Sequence, residues 1–189
     1  GVVERVVLKD SRLYAATWRK GLQIVETAAM TAGFPENPDT DYNGFLQYIL
    51  LQGTGWGMEN VATIPVWSNP DAPIAQRQHA TLFGLDVANV DYAGTVQPMM
   101  FATGRPAISG LVVADPGAGA IVKQLELLPM IQGSVVKVGT IAGRPLALVC
   151  GRSATSGLLH AVDLSPLSSS DPGANTPTIL STLTTVPIC

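Results

Sequence analysis

The chain has 189 residues, 47% of them hydrophobic and only 13% charged, with a formal net charge of −3. At that length one core can bury roughly 70% of the unfolded surface. A charge content this far below the ~25% usual in soluble domains fits a piece of a membrane-tethered or assembled protein.

No run of Lys and Arg exceeds the pair Arg19-Lys20. That argues against the electrostatic footprint of nucleic-acid binding and against a polybasic membrane patch. Apolar runs such as Leu146–Cys150 are far shorter than the ~18 residues a spanning helix needs. The first residues also lack the charged and apolar regions of a secretory leader. No transmembrane segment is therefore expected within this sequence.

In chain order, Val2–Ala32 opens with Val3, Val6, Val7, Leu13, Tyr14, Leu22, Ile24, Val25 and Ala28 at three- and four-residue spacings. This spacing predicts a long amphipathic helix, weakened at Gly21 by about 1 kcal/mol relative to alanine and stopped by Gly33 and Pro35. Residues 1–33 thus read as an N-terminal stalk. A loop leads to a second predicted helix, Asp41–Gln52, with Tyr42, Phe45, Leu46, Ile49 and Leu50 on one side. Gly53-Thr54-Gly55-Trp56-Gly57 breaks it, and Asn60–Trp67 reads as a strand.

Phe83–Gly110 then runs FGLDVANVDYAGTVQPMMFATGRPAISG. A helix is expected here, capped at its start by Asp91, ended by Gly104 and kept from resuming by Pro106. The strand Ala107–Ala114 follows. Gln124–Met130, Ser134–Ile141, Leu146–Cys150 and Leu158–Leu164 read as further strands, and Gly151–Gly157 as the turn of a hairpin. Gly-Arg-Pro occurs at both Gly104 and Gly143, an echo too short to count as a repeat. From Ser165 the Ser-, Thr- and Pro-rich composition predicts an irregular tail over residues 168–189, with Ile179–Leu183 packing as one turn.

The order of GxD, short helix, ATGRP turn and S-G strand resembles the CHASE extracytoplasmic sensor domains and, more loosely, the Cache sensors. Phe45, Tyr48, Trp56 and Pro65 add a patchy match upstream, and Ala161–Leu167 resembles a Cache-like ending. The resemblance covers Tyr42–Leu167. It implies an α+β fold, with a long N-terminal helix followed by a PAS-like antiparallel sheet and flanking helices over residues 34–167. It also implies a periplasmic or extracellular ligand sensor of a membrane-tethered histidine kinase or cyclic-dinucleotide enzyme. Such a sensor would signal through its stalk helix in a homodimer. The arginine pair that follows the GxD segment in many CHASE domains is replaced here by Asn89-Val90-Asp91-Tyr92. A pilin-like subunit of an extracellular assembly is the second reading, since it shares a long N-terminal helix, a sheet and a late cysteine.

Catalytic motifs are few. Gly53-x-Gly55-x-Gly57 has a helix before it and a strand after it, the reverse of a dinucleotide loop. His79 and His160 are the only histidines, too few for a typical histidine zinc site; His160 is expected to face outward from its strand. GxSxG is absent. The expectation is therefore a binding protein with no enzymatic activity, cofactor or metal. Its pocket is expected between sheet and helices, with Trp67, Phe83 and Tyr92 as apolar walls and Asp86, Arg105 or Ser109 orienting the ligand. Cys150 and Cys189 are either a disulfide clamping the tail in an oxidising compartment or two unrelated thiols, with Cys150 a small buried hydrophobe.

Overall fold

The computed structural model describes residues 3–18, 20–26, 59–68, 71–105 and 110–185. These form three four-stranded antiparallel sheets, each made of consecutive strands in sequence order. The first holds β1 (Val3–Lys9), β2 (Arg12–Thr17), β3 (Gly21–Glu26) and β4 (Glu59–Ile64). The second holds β5 (Thr81–Tyr92), β6 (Thr95–Arg105), β7 (Gly110–Asp115) and β8 (Ala120–Glu126). The third holds β9 (Gln132–Ile141), β10 (Arg144–Arg152), β11 (Gly157–Asp163) and β12 (Thr178–Thr185).

This corrects the α+β expectation. There is no N-terminal stalk helix over the described residues: 3–26 is a three-stranded meander. The periodicity misled because apolar residues occupy both faces of that sheet, which mimics three- and four-residue spacing. Val7, Tyr14, Ala16, Leu22 and Ile24 face the neighbouring sheet, while Val6 pairs with Ala15, and Leu8 with Leu13, on the opposite face. The predicted helix within Phe83–Gly110 is the β5–β6 hairpin. Its turn is Ala93-Gly94, so Asp91 lies in a strand and caps nothing. Gly104 ends no helix; it pairs with Leu82 inside that hairpin. The predicted tail carries β12, which contains Ile179–Leu183. The predicted helix Asp41–Gln52 lies outside the described residues.

The first two strands of every sheet join through the same device. Asp10-Ser11, Ala93-Gly94 and Ala142-Gly143 all have positive φ at both positions, the conformation of a two-residue type I′ hairpin turn. Each sheet is thus one copy of a repeated four-stranded meander.

The second sheet is the middle layer and is buried on both faces. Met100, Ala102, Val112 and Ala114 pack into the core shared with the first sheet. Their alternates Met99, Phe101, Leu111 and Val113 pack into the core shared with the third. The sheets approach most closely along their first strands, β5 lying against both β1 and β9. Three consecutive meanders, face to face and converging on their first strands, have the arrangement of β-propeller blades around an axis.

Candidate functional site

The residues expected to line one pocket are spread over the fold. Trp67 forms a β-bridge with His79, and their rings stack at 4.3 Å between centroids. Around them the Ser68 N–H and hydroxyl both donate to the Gln78 carbonyl, at 2.8 and 3.0 Å. This strap links the first sheet to the second.

Phe83 and Arg105 do meet, the guanidinium carbon lying 5.6 Å from the ring centre in a cation–π contact. Tyr92 sits at the far end of β5, about 30 Å from Phe83 at the usual rise of a strand, and packs against the second core. Ser109 lies outside the described residues. Asp86 is buried on the face of β5 turned to the third sheet. Its Oδ2 accepts the Val138 N–H at 2.8 Å, and its Oδ1 lies 3.3 Å from Lys137 Nζ. Its carboxylate therefore ties two first strands together.

All three sheets contribute to a cleft of about 140 Å³ at their convergence. Arg5 and Val6 of β1, Gly84 and Leu85 of β5, and Val136 and Lys137 of β9 line it. Gly84 lets the strands close: a Cβ there would stand 3.0 Å from Val135 Cα and from Val136 N. Two cationic side chains from different blades share this mouth, with Asp86 beneath Lys137. A larger groove of about 360 Å³ runs between Arg12, Ile24 and Ala62 and the turn Pro116–Gly119. Its one charged lining residue, Arg12, already has a partner. Sequence reasoning missed Arg5 and Lys137 because lone charges in strands carry no local signature; their relation appears only once the first strands are aligned.

His160 does not face outward. It is fully buried on the face of β11 turned to the second sheet, with Nδ1 and Thr182 Oγ1 2.8 Å apart and Nε2 unpartnered. Burial lowers its pKa below the usual histidine value, since a charge there would be desolvated. The unfolded chain therefore takes up the proton first as pH falls. The stability held by neutral His160 is complete above about pH 6.5 and is lost as pH falls through that value toward the folded pKa. Asp163 acts at lower pH. The Ser165 N–H, at 2.9 Å, is the main cause of its lowered pKa, followed by the Ser165 hydroxyl, with Arg144 adding to them against desolvation. Its contribution is present above the ordinary carboxylate range and vanishes as pH falls through its folded pKa. Thermal melts should show a decline beginning near pH 6.5, and His160→Leu should remove that first limb while leaving the more acidic one. An unchanged limb in the variant would assign it to another group.

Cys150 is disulfide-bonded; Cys189, the other cysteine of the chain, lies outside the described residues. Among the described residues there is no cluster of three or more His, Cys, Asp or Glu side chains able to hold a metal. Nor, among them, is any helix long and apolar enough to cross a membrane. No family model matches the chain, and neither the curated proteins nor the solved structures contain a match.

Proposed function

We propose that this chain is a binding module of propeller-type blades that takes an anionic group, carboxylate or phosphate, at its axial cleft. The observation that carries the reading is the convergence of Arg5 and Lys137, from separate blades, on one small mouth. A guanidinium offers paired donors to a planar or tetrahedral oxyanion, and an ammonium adds a second charge. The cleft is too small to engulf a ligand of drug size, so it suits the charged end of a molecule whose remainder stays outside.

An extracytoplasmic setting belongs to this proposal and is supported by the disulfide at Cys150, since such bonds persist in oxidising compartments. Detection of a small ligand also remains part of it. Transmission through a stalk helix does not, because β1, β2 and β3 occupy that stretch; the pilin-like reading loses its N-terminal helix for the same reason.

The test is a titration of the protein with phosphate, acetate and citrate, followed by amide chemical shifts. Saturable shifts are expected at Gly84, Val136 and Lys137, and Arg5→Ala should weaken them at least tenfold. Absence of saturable shifts at the axis with all three anions, or equal shifts in the variant, would overturn the reading.

A further inference from the structure

The axial cleft is walled by strand edges, and the register of each blade fixes what those edges offer. β1, β5 and β9 are each the outermost strand of their own sheet. Each leads into a two-residue hairpin turn, closed by the pairs Lys9–Arg12, Tyr92–Thr95 and Ile141–Arg144. The pair flanking such a turn is hydrogen-bonded, and bonded and non-bonded pairs alternate from there. Counted back from the turns, with no register break on the way, Val6, Leu85 and Val136 fall at non-bonded positions. Their N–H and C=O groups therefore point away from their sheet partners, toward the axis. Val138, two residues along β9, has the same parity, and its N–H does leave its own sheet to reach Asp86 Oδ2 at 2.8 Å. Val6, Leu85 and Val136 line the cleft with their immediate neighbours. Among the described residues, no backbone hydrogen bond between blades meets these three.

Such a rim offers carbonyl acceptors as well as N–H donors beside Arg5 and Lys137. A bare phosphate or acetate would use the donors and leave the acceptors unmet. Charge narrows the choice further. Lys137 Nζ lies 3.3 Å from Asp86 Oδ1, so two cations against one carboxylate leave a single positive charge in excess. That suits a singly charged carboxylate better than a phosphate dianion. A free amino acid would bring an ammonium up to two cations. The last residue of a peptide instead joins its carboxylate to a neutral N–H, and an extended chain presents such groups at the spacing of a strand edge. A volume of about 140 Å³, roughly four or five waters at about 30 Å³ each, admits a terminal carboxylate and a small residue. We infer that the axial cleft binds the free carboxyl terminus of an extended peptide. The carboxylate lies between Arg5 and Lys137, and the last N–H donates to a strand-edge carbonyl of Val6, Leu85 or Val136. This rests on the reading of the cleft as an anion site and adds the strand edges to it.

Four probes, followed by amide chemical shifts, test it: N-acetyl-trialanine, its C-terminal amide, its analogue with an ester oxygen in place of the last N–H, and acetate. N-acetyl-trialanine is expected to move the Val6, Leu85 and Val136 amides saturably and to bind at least tenfold more tightly than acetate. Amidation of its terminus should weaken binding at least tenfold, and the ester at least threefold. Arg5→Ala should also weaken it at least tenfold; Arg5 is exposed, so circular dichroism should show the variant folded. If it is not, Lys137→Ala, which alters a side chain 70% exposed, carries the same test. A peptide that binds no more tightly than acetate at these amides would overturn the inference and leave the anion site standing. So would an amide or an ester that binds as well as the acid. No saturable shift at the axis with either the peptide or acetate would remove both.

Discussion

Replacing Gly133 with alanine is expected to cost the fold several kcal/mol. Gly133 lies on β9 where that strand crosses the middle blade. A Cβ built there would stand 1.7 Å from Thr103 Oγ1, 2.8 Å from its Cβ and 3.0 Å from its Cγ2. Thr103 cannot yield. It is fully buried on β6, and its hydroxyl donates at 2.6 Å to the carbonyl of Gly110 on the neighbouring strand. Rotating it away would leave a buried acceptor unmet, at about 1–3 kcal/mol, and would still leave the Cβ–Cβ clash. The blades must instead separate at their closest approach, which loosens the second core as well. Overpacking alone typically costs about 1–3 kcal/mol, so the sum reaches the range that often unfolds a marginal domain. Urea unfolding of Gly133→Ala, alone and with Thr103→Ala, measures this. The double variant should be less destabilised than the sum of the two single changes, because removing the hydroxyl removes the shortest contact. Strict additivity would show that Gly133 is held by its own backbone and not by Thr103.

Three of the four strands of the third blade were legible in the sequence. Ser134–Ile141, Leu146–Cys150 and Leu158–Leu164 alternate or run apolar between clear glycine and serine turns, and they correspond to β9, β10 and β11. Of the middle blade, the strand Ala107–Ala114 was legible and corresponds to β7, but the β5–β6 hairpin was not, for a physical reason. A strand buried on one face alternates, but Met99–Ala102 packs into a core on each face, so the two-residue period disappears. A proline and a glycine beside such a run then imitate a helix stop.

The repeat itself was present in a form other than Gly-Arg-Pro. Gly21-Leu22, Gly110-Leu111 and Gly157-Leu158 each open a third strand that ends in an acid, at Glu26, Asp115 and Asp163. Together with the hairpin turns at Asp10, Ala93 and Ala142, they mark one unit three times over. Of the candidate site, Asp86 and the Phe83–Arg105 pair were visible as residues but not as places. Which side chains share a mouth depends on three strands far apart in sequence, and no local pattern encodes that.

Asp86→Ala should destabilise the protein by about 2–3 kcal/mol, more than its modest exposure on an inner strand suggests. Its carboxylate does two things at once: it accepts the Val138 N–H and sits beside Lys137 Nζ. Val138 pairs with Ala147 within its own sheet, so the Asp86 contact crosses from one blade to the next and fixes their relative height. Truncation leaves a part-buried N–H facing a void, which carries most of the cost. The Lys137 contact contributes less, because that side chain is 70% exposed and its attraction is screened by solvent. Asp86→Asn separates the two roles, since its amide oxygen can still accept from Val138 while the charge is gone. The asparagine variant should therefore lose less than half of what alanine loses, and its loss should shrink further in high salt. Equal losses for the two variants would transfer the weight to the ion pair. Hydrogen exchange at the Val138 amide gives the local readout: fast in Asp86→Ala and protected in Asp86→Asn if the carboxylate oxygen is the strut between blades.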